Sequence, residues 1–323
     1  MQNKNPTAVI ALGGHAFIRK GYRPTHEEHQ IAARKIASIL MELINRDYNL
    51  VITHGNGPQV GNLLLQNEHS PEEIPKQPLD VLVAMTEGSL GYIMQQAIIN
   101  ELRRRGIHRH VVTKITQVIL DQHDPAFKNP SKPIGPFYTH EQALELQENH
   151  NWEMAEDSGR GWRRLVPSPS PLKVIQRHTI KDAAMQGHIV IAAGGGGIPV
   201  VKQIDQKTGD FSYVGVEAVI DKDLTSSLLA KQVGAELFII LTDVNRVFIN
   251  YNQPDQKPLG ALNIEMTEKY LDDGHFAMGS MRPKIEAVLD FLQSHGKRAL
   301  ITSPENLSKA LQGVDGTHFV GTI

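Results

Sequence analysis

The sequence predicts an α/β fold in which a parallel β-sheet is covered by helices on both faces. Short runs rich in β-branched residues alternate with amphipathic helical stretches through most of the 323 residues. That alternation is typical of parallel strands joined by crossover helices. Three of the apolar runs end in glycine, as strands do where a ligand approaches the backbone closely. The length is sufficient for one large domain or two lobes around a substantial core.

The expected elements follow one another in chain order. The first strand lies near Thr7–Leu12 and leads to a helix over about Glu27–Arg46, whose apolar residues recur at helical spacing. A strand near Asn49–Thr53 precedes a helix that begins near Pro58, a residue suited to the first helical turn. A long helix over Asp80–Arg105 ends at a glycine. Further strands are expected near His110–Leu120, His188–Ala193, Glu236–Leu241, Arg246–Asn250, Arg298–Thr302 and His318–Val320.

The segment Asp121–Pro171 interrupts this alternation. It holds seven of the 18 prolines and both tryptophans, and it shows little strand or helix periodicity outside His140–His150. A structureless stretch of this length is unusual inside a compact domain, so we expect an inserted subdomain with a function. The alternative is a solvated insertion without a role.

Composition excludes several classes of protein. The net charge of -2 gives no electrostatic footprint for nucleic acid, so no nucleic-acid partner is expected. The absence of cysteine excludes disulfides and zinc–thiolate or iron–sulfur sites, and it fits a reducing compartment. The N-terminus is polar, and the apolar stretch after it is too short for a signal peptide or membrane span. A cytoplasmic protein without a membrane partner is therefore expected.

The three glycine-rich strand ends predict a site for one anionic ligand. They are Gly13-Gly14, the loop Gly55-Asn56-Gly57, and the glycine quartet Gly194-Gly195-Gly196-Gly197. Residues without side chains are expected to expose a row of backbone N–H groups to such a ligand. The phosphate-binding pattern G-x-x-x-x-G-K-[ST] is absent. A dinucleotide site is disfavoured because no strand ending in an acidic residue follows the Gly55 loop at the required distance.

Three lysines add cations to this expectation. Lys222 lies between two aspartates, Lys284 follows Gly-Ser-Met-Arg-Pro just inside a predicted helix, and Lys132 lies in a proline-rich part of the insertion. Prolines stiffen the loop and reduce the entropy lost when the lysine is positioned. Each lysine taken alone is consistent with a solvated surface cation.

Taken together, these segments resemble carbamate kinases, a branch of the amino acid kinase family, over essentially the whole chain. The inserted loop and the Asp-Lys-Asp segment distinguish carbamate kinases from acetylglutamate, aspartate and uridylate kinases. The matching segments, in order, are residues 11–14, 53–61, 128–137, 156–164, 194–200, 217–223, 241–244, 274–276 and 279–284.

The resemblance implies a three-layer αβα sandwich with a mainly parallel central sheet and a small protruding subdomain at residues 121–171. It implies one amino acid kinase domain over residues 1–323, normally assembled as a homodimer. An N-terminal lobe of about residues 1–220 would bind carbamoyl phosphate, and a C-terminal lobe of about residues 221–323 would bind the nucleotide. The reaction would be reversible phosphoryl transfer between carbamoyl phosphate and ADP, giving ATP and carbamate, with Mg²⁺ accompanying the nucleotide and no dedicated protein metal site.

The resemblance also assigns roles to residues. Lys132 would reach over the phosphoryl acceptor, Lys222 and Lys284 would bracket the transferring group, and Asp223 would hold the lysines. The substrate loops would be Gly13, Gly14, His15, Gly55, Asn56, Gly57, Gly194, Gly195, Gly196 and Gly197. The nucleotide side would be Thr242, Asp243, Gly279, Ser280 and Met281.

His15 is the one departure from the family pattern, because carbamate kinases typically carry asparagine there. Histidine offers a different set of donors and acceptors, so it either contacts the substrate with altered chemistry or is a tolerated substitution beside the site. Two alternatives therefore stay open: a kinase for a related small carboxylic or carbamate-like acid, and a non-catalytic protein that binds an anionic metabolite. His54, before the second glycine loop, is expected to fix that loop through a hydrogen bond.

Overall fold

The computed structural model describes residues 5–13, 25–157 and 159–321. Its strands are β1 (Thr7–Leu12), β2 (Asn49–His54), β3 (Val111–Lys114), β4 (Gln117–Leu120), β5 (Lys132–Tyr138), β6 (Glu153–Glu156), β7 (Trp162–Val166), β8 (Pro171–Val174), β9 (Ile189–Ala192), β10 (Ile198–Ile204), β11 (Phe211–Gly215), β12 (Leu237–Leu241), β13 (Phe248–Ile249), β14 (Lys257–Pro258), β15 (Ala261–Asn263), β16 (Arg298–Thr302) and β17 (Thr317–Val320). Its helices are α1 (His26–Ile44), α2 (Gly57–Glu68), α3 (Leu79–Arg104), α4 (His140–His150), α5 (Arg177–Met185), α6 (Lys222–Val233), α7 (Ile264–Asp272), α8 (Met281–Gln293) and α9 (Leu307–Leu311).

An eight-stranded sheet forms the centre of the fold. Its strand order is β15-β17-β16-β12-β1-β2-β9-β3, and every neighbouring pair is parallel except β16 with β17. Strand β1 lies in the middle, where Ile10 pairs with Ile52 on one side and Ile239 on the other. The predicted mainly parallel central sheet is confirmed.

Helices cover both faces of this sheet because its strands are apolar on both sides. In β1, Ala8, Ile10 and Leu12 pack in a core with residues of α1, α3 and α9. The alternate residues Val9 and Ala11 pack in a second core with residues of α5, α6 and α8. Successive side chains of a strand point to opposite faces, so one apolar run serves two layers of helices. The predicted αβα sandwich is confirmed.

Helix α3 is 26 residues long and supports the site described below. The N–H of its first residue, Leu79, donates to Glu217 Oε1 at 2.9 Å. Gly106, with a φ of 69°, follows its last turn, as expected for a glycine that ends a helix. Within the described residues, no helix combines the length and the apolar character that crossing a bilayer requires.

The insertion contains more regular structure than its sequence pattern indicates. Strands β5, β7 and β6 form an antiparallel sheet in that order, and α4 packs against β6 and β7. The expectation of little strand structure was wrong because prolines hide the alternation of β5. Pro133 and Pro136 are tolerated there because β5 is an edge strand. The sheet is anchored by Ile134, which packs in a core with Val60 and Leu64 of α2.

Two strand predictions need correction. The run from His110 to Leu120 is not one strand: it divides at residues 115–116 into β3 of the central sheet and β4 of a second sheet, ordered β11-β10-β4-β8. Backbone and side-chain hydrogen bonds of Thr116, described below, turn the chain at this point. The strand expected near Arg246–Asn250 is reduced to β13, because Arg246 pairs with Asp315 at 2.8 Å and Asn250 has a φ of 53°.

Candidate active site

The expected ligand loops meet at one edge of the central sheet. Strands β12, β1, β2 and β9 are adjacent and parallel, so their carboxyl ends lie together. The residues that follow these ends are Thr242, Gly13, Gly55 and, after Ala193, Gly194. This edge is where open α/β sheets bind their ligands.

Helix α6 begins at the same edge and is fixed there by buried hydroxyl groups. Thr225 Oγ1 donates to the carbonyl oxygen of Gly196 at 2.9 Å, and Ser226 Oγ lies 2.6 Å from Thr53 Oγ1. The N-terminus of a helix favours anions, because its first N–H groups lack partners within the helix. The positive end of α6 therefore lies beside the glycine loops.

The capping residue of α6, Asp221, links the helix to the insertion. Its Oδ1 accepts from the backbone N–H of Asp223 at 2.9 Å, and its Oδ2 accepts from Lys132 Nζ at 2.8 Å. Burial alone would raise the pKa of the Asp221 carboxyl, but the Lys132 and Lys222 ammonium groups together lower it to about 2. Asp221 is thus an anion at neutral pH that holds Lys132 at this edge.

Asp223 brings the other two lysines together. Its carboxylate is 3% exposed, and it accepts from Lys222 Nζ at 2.6 Å on one oxygen and from Lys284 Nζ at 3.1 Å on the other. The side chains of Lys222 and Lys284 are only 13% and 14% exposed, so they are not solvated surface cations. Lys132, Asp221, Lys222, Asp223 and Lys284 form one network, called the lysine cluster below.

The glycine quartet is tightly packed and not simply exposed. A Cβ atom on Gly195 would lie 2.1 Å from Asn56 Nδ2, and one on Gly196 would lie 2.3 Å from the carbonyl oxygen of Ile220. Both glycines have positive φ angles, 67° and 95°. The N–H of Gly196 donates to Ala193 and that of Gly197 to Gly194, at 3.2 and 3.1 Å. The expected row of four exposed N–H groups is therefore incorrect, because two of them close the turn.

The other two predicted loops lie beside the quartet. The N–H of Gly13 donates to the Leu241 carbonyl at 2.9 Å, and that of Gly55 donates to the Leu12 carbonyl at 3.1 Å. Asn56 caps α2, which begins at Gly57, and its Nδ2 donates to Thr86 Oγ1 at 2.8 Å. Gly14 and His15 lie outside the described residues.

Two buried ionisable groups flank Gly194. His54 Nδ1 lies 3.1 Å from the carbonyl oxygen of Gly55, as expected for a histidine that fixes the loop. Burial lowers the pKa of His54 to about 4, although its contact with Gly55 opposes this shift. Burial also raises the pKa of Glu87 to about 8, against the opposing effect of backbone N–H groups of Thr116 and Gly194. Both side chains are therefore largely neutral at pH 7.

Sequence reasoning missed Asp221 and Glu87. The signal for Asp221 was present, because an aspartate directly before an apolar helical pattern is a typical helix cap. The signal for Glu87 was its position in α3: it lies four residues after Val83 and three before Leu90, on the apolar face of that helix. An acidic residue on an apolar stripe is rarely buried without a specific environment.

The residues expected on the nucleotide side fall into two groups. Thr242 donates its N–H to the Thr302 carbonyl at 2.9 Å, and Asp243 lines a cavity of about 550 Å³ together with Phe248 and Tyr251. Gly279, Ser280 and Met281 are not among the residues that line this cavity. Gly279 and Ser280 precede α8, which begins at Met281. The carbonyl oxygen of Ser280 accepts from Lys284 Nζ at 3.2 Å.

The described residues offer no group of three or more histidine, aspartate or glutamate side chains that could hold a metal ion. Both carboxylate oxygens of Asp223 already accept from lysines. A divalent cation beside Asp223 would therefore need ligands other than these two oxygens, such as those that a substrate brings. Mg²⁺ commonly binds in this way, through substrate phosphates and water.

Fold and site together define an α/β protein in which glycine turns and a cluster of lysines meet at one edge of a mainly parallel sheet. The sequence profile described as "Amino acid kinase family" matches residues 6–303. The chain therefore belongs to the amino acid kinase family.

Individual relatives show which branch of this family the chain is most similar to among the proteins compared. The chain is 48% identical to carbamate kinase of Thermococcus kodakarensis over 315 residues, covering 97% of this chain and 98% of that one. It is 46% identical to carbamate kinase 2 of Enterococcus faecalis, covering 93% and 94%. Carbamate kinase from Giardia lamblia bound to AMP-PNP superposes with a TM-score of 0.90 at 39% identity, over 99% of both chains. The predicted resemblance to the carbamate kinase branch is confirmed.

Proposed function

We propose that the protein is a carbamate kinase, which transfers a phosphoryl group reversibly between carbamoyl phosphate and ADP to give ATP and carbamate. Carbamate then decomposes to ammonia and carbon dioxide. The observation that carries the proposal is the lysine cluster: three cations from separate parts of the chain meet beside the glycine turns. The curated names of the relatives support the same reaction.

The chemistry requires that two anions be brought into contact. Phosphoryl transfer passes through a loose transition state whose charge is spread over the equatorial oxygens, and fixed cations stabilise that charge. Lys222 and Lys284 would bracket the transferring group, and Lys132 would reach the acceptor from the insertion. Asp223 would fix the first two ammonium groups before substrate binds. No general base is required, because the attacking oxygen of ADP or carbamate is already ionised.

The two substrates would occupy different parts of the same edge. The glycine loops of the N-terminal lobe, about residues 1–220, would bind carbamoyl phosphate, with His15 and Gly14 among them. Thr242, Asp243 and the loop Gly279, Ser280 and Met281 of the C-terminal lobe would bind the nucleotide. The cavity beside Asp243, of about 550 Å³, falls within the size range of small-ligand pockets. Mg²⁺ would enter with the nucleotide phosphates and neutralise part of their charge.

We also propose that the protein is a homodimer. The outward face of α3 carries Met85 and Tyr92, which are 47% and 58% exposed, and Ile115 beside the edge strand β3 is 48% exposed. These side chains favour burial by a second copy. Sedimentation of the wild-type chain and of Tyr92→Arg tests this proposal, since a wild-type monomer would contradict it. The cytoplasmic location expected from the sequence stays a prediction.

The decisive experiment measures ATP formed from carbamoyl phosphate, ADP and Mg²⁺. We expect turnover by the wild-type protein and its loss in Lys284→Ala, with both proteins showing the same thermal unfolding profile. Wild-type turnover no higher than that of the variant would refute the proposed function. Measuring the ADP formed when ATP and Mg²⁺ are offered with other small carboxylic acids would reveal a different acceptor.

A further inference from the structure

Glu87 is a buried acid that lies behind the glycine quartet and outside the lysine cluster. Its side chain is 2% exposed, and its Oε2 accepts from the backbone N–H of Thr116 at 2.8 Å. Its other oxygen, Oε1, is buried and makes no hydrogen bond of normal geometry within the described residues, although the backbone N–H of Gly194 faces the carboxyl. Its Cγ would lie 3.1 Å from a Cβ atom on Gly194. Buried polar atoms are nearly always paired, so this carboxyl requires an explanation.

Thr116 connects Glu87 to both ends of the quartet. It is fully buried between β3 and β4, and its Oγ1 accepts from the N–H of Ala193 at 2.9 Å. Its carbonyl oxygen accepts from the N–H of Ile198 at 2.8 Å. Ala193 and Ile198 are the residues directly before and after the quartet. Thr116 therefore clamps the turn at both ends, and Glu87 fixes the backbone of Thr116.

The residue before Glu87, Thr86, contacts the loop that contains Asn56. Thr86 Oγ1 accepts from Asn56 Nδ2 at 2.8 Å and donates to the Val83 carbonyl at 2.6 Å. The Asn56 amide in turn lies against the Cα of Gly195, where a Cβ would not fit. One turn of α3 thus supports two of the loops proposed to bind carbamoyl phosphate.

The charge of Glu87 matters because the ligand expected on the other side of the turn is an anion. An ionised carboxylate behind the turn would repel that ligand, whereas a protonated carboxyl would not. The groups that face it are the Thr116 N–H from the β3–β4 junction, the Gly194 backbone from the turn, and His54 of β2 around the same glycine. His54 is neutral above its pKa of about 4, so it supplies no compensating charge.

We propose that Glu87 is a positioning residue for carbamoyl phosphate: its neutral form fixes the glycine quartet through Thr116 without adding negative charge behind the bound anion. The identity of the anion rests on the proposed function, while the chain of contacts does not. The carboxyl acts on the backbone of the turn and does not touch the substrate.

Steady-state kinetics of Glu87→Gln and Glu87→Ala test this proposal. Glutamine keeps an acceptor for Thr116 and cannot ionise, so we expect its KM for carbamoyl phosphate at about pH 7 to stay within about twofold of wild type. Alanine loses the acceptor, and we expect that KM to rise about tenfold, with the KM for ADP unchanged. Glu101→Gln is the matched control, because it makes the same substitution farther along α3, where Glu101 pairs with Arg104 and Arg105.

The pH profile distinguishes positioning by a neutral acid from a purely structural role. With a pKa of about 8, only about one-tenth of Glu87 is protonated at pH 9. We therefore expect the wild-type KM for carbamoyl phosphate to rise about tenfold between about pH 7 and pH 9, beyond any rise in Glu87→Gln. Parallel profiles in the two proteins would overturn the charge argument.

Hydrogen exchange at residues 193–198 provides a readout that does not require turnover. We expect these amides to exchange faster in Glu87→Ala than in wild type, and at the wild-type rate in Glu87→Gln. Unchanged exchange in Glu87→Ala would overturn the proposal even if the enzyme is active. Absence of wild-type turnover with faster exchange in the alanine variant would instead refute the proposed function alone.

Discussion

The lysine cluster and the glycine turns lie at the same edge of the sheet, yet they are stabilised in opposite ways. In the cluster, Asp223 accepts from two lysines and Asp221 from a third, so every cation contacts a carboxylate and one positive charge is left over. Among the described residues around the glycine turns, the buried groups His54 and Glu87 have pKa values of about 4 and about 8 and are largely neutral. One half of the edge is thus charged and ion-paired, and the described part of the other half is neutral and lined by backbone.

The two halves differ because one positions ammonium groups and the other positions backbone N–H groups. A cation can be kept at fixed position in a partly buried site only if a carboxylate compensates its lost hydration. Backbone N–H groups carry no net charge and need no such compensation, but a ligand reaches them only where side chains are absent. Negative charge therefore stabilises the lysine cluster, whereas behind the glycine turns it would repel the anion proposed to bind there.

Removing one cation from the charged half should have the largest effect. We expect Lys222→Met to lower kcat about a hundredfold to a thousandfold, the loss typical of one preorganised transition-state contact. The methionine keeps most of the side-chain volume, and Asp223 retains Lys284 as a partner. Single-turnover measurements would show the loss in the chemical step, and a change confined to the KM for ADP would contradict it.

A side chain added to the neutral half should act through packing. We expect Gly196→Ala to destabilise the fold by about 3 kcal/mol, because a Cβ would lie 2.3 Å from the Ile220 carbonyl oxygen and the φ angle is 95°. Gly209→Ala is the control, since Gly209 also has a positive φ, 77°, but no atom near its Cβ position. Urea denaturation should give a loss of about 1 kcal/mol for the control. Equal losses would mean that backbone strain alone explains the glycine.

The neutral half should also control how stability depends on pH. The pKa of Glu87 is raised from 4.5 to about 8, so the folded state binds the extra proton and stability falls as pH rises through this window. The pKa of His54 is lowered from 6.5 to about 4, so stability rises with pH between these values and partly cancels the Glu87 effect. Above about pH 6.5 His54 no longer contributes, so the effect of Glu87 on the free energy of unfolding is not cancelled.

The expected slope between about pH 6.5 and 8 is at most about 1.4 kcal/mol per pH unit. Denaturant titrations of wild type and Glu87→Gln at about pH 6.5 and pH 8 measure this slope. We expect the free energy of unfolding to fall less between the two pH values in the variant than in wild type. Equal slopes in the two proteins would show that Glu87 is already ionised in the folded state across this window.

Neutralising an anion of the charged half should have the smallest effect. We expect Asp221→Asn to lower kcat about tenfold, because asparagine still caps α6 but holds Lys132 less firmly. The same substitution in a Lys132→Met background should have little further effect, since its partner is already gone. Fully additive losses in this double-mutant cycle would show that Asp221 acts independently of Lys132.

The sequence was sufficient to predict the parts of both halves that are local in the chain. Adjacent residues such as Lys222 and Asp223 identified the charged half, and the apolar runs of β1, β2 and β9 located the glycine turns. Contacts between distant residues were not predictable. Lys132 reaches Asp221 across 89 positions, and Glu87 reaches Thr116 only because one apolar run divides between two sheets. Prolines of β5 concealed an edge strand whose position depends on packing against α2.

The insertion leaves the body of the protein and returns to it at neighbouring points. Leu120 at the end of β4 stands opposite Pro171 at the start of β8, in antiparallel register. Strands in this arrangement can be joined by a tight turn of a few residues. A tight turn in place of the insertion would keep the pairing of β4 with β8, but it would uncover the face of α2 that packs against Ile134.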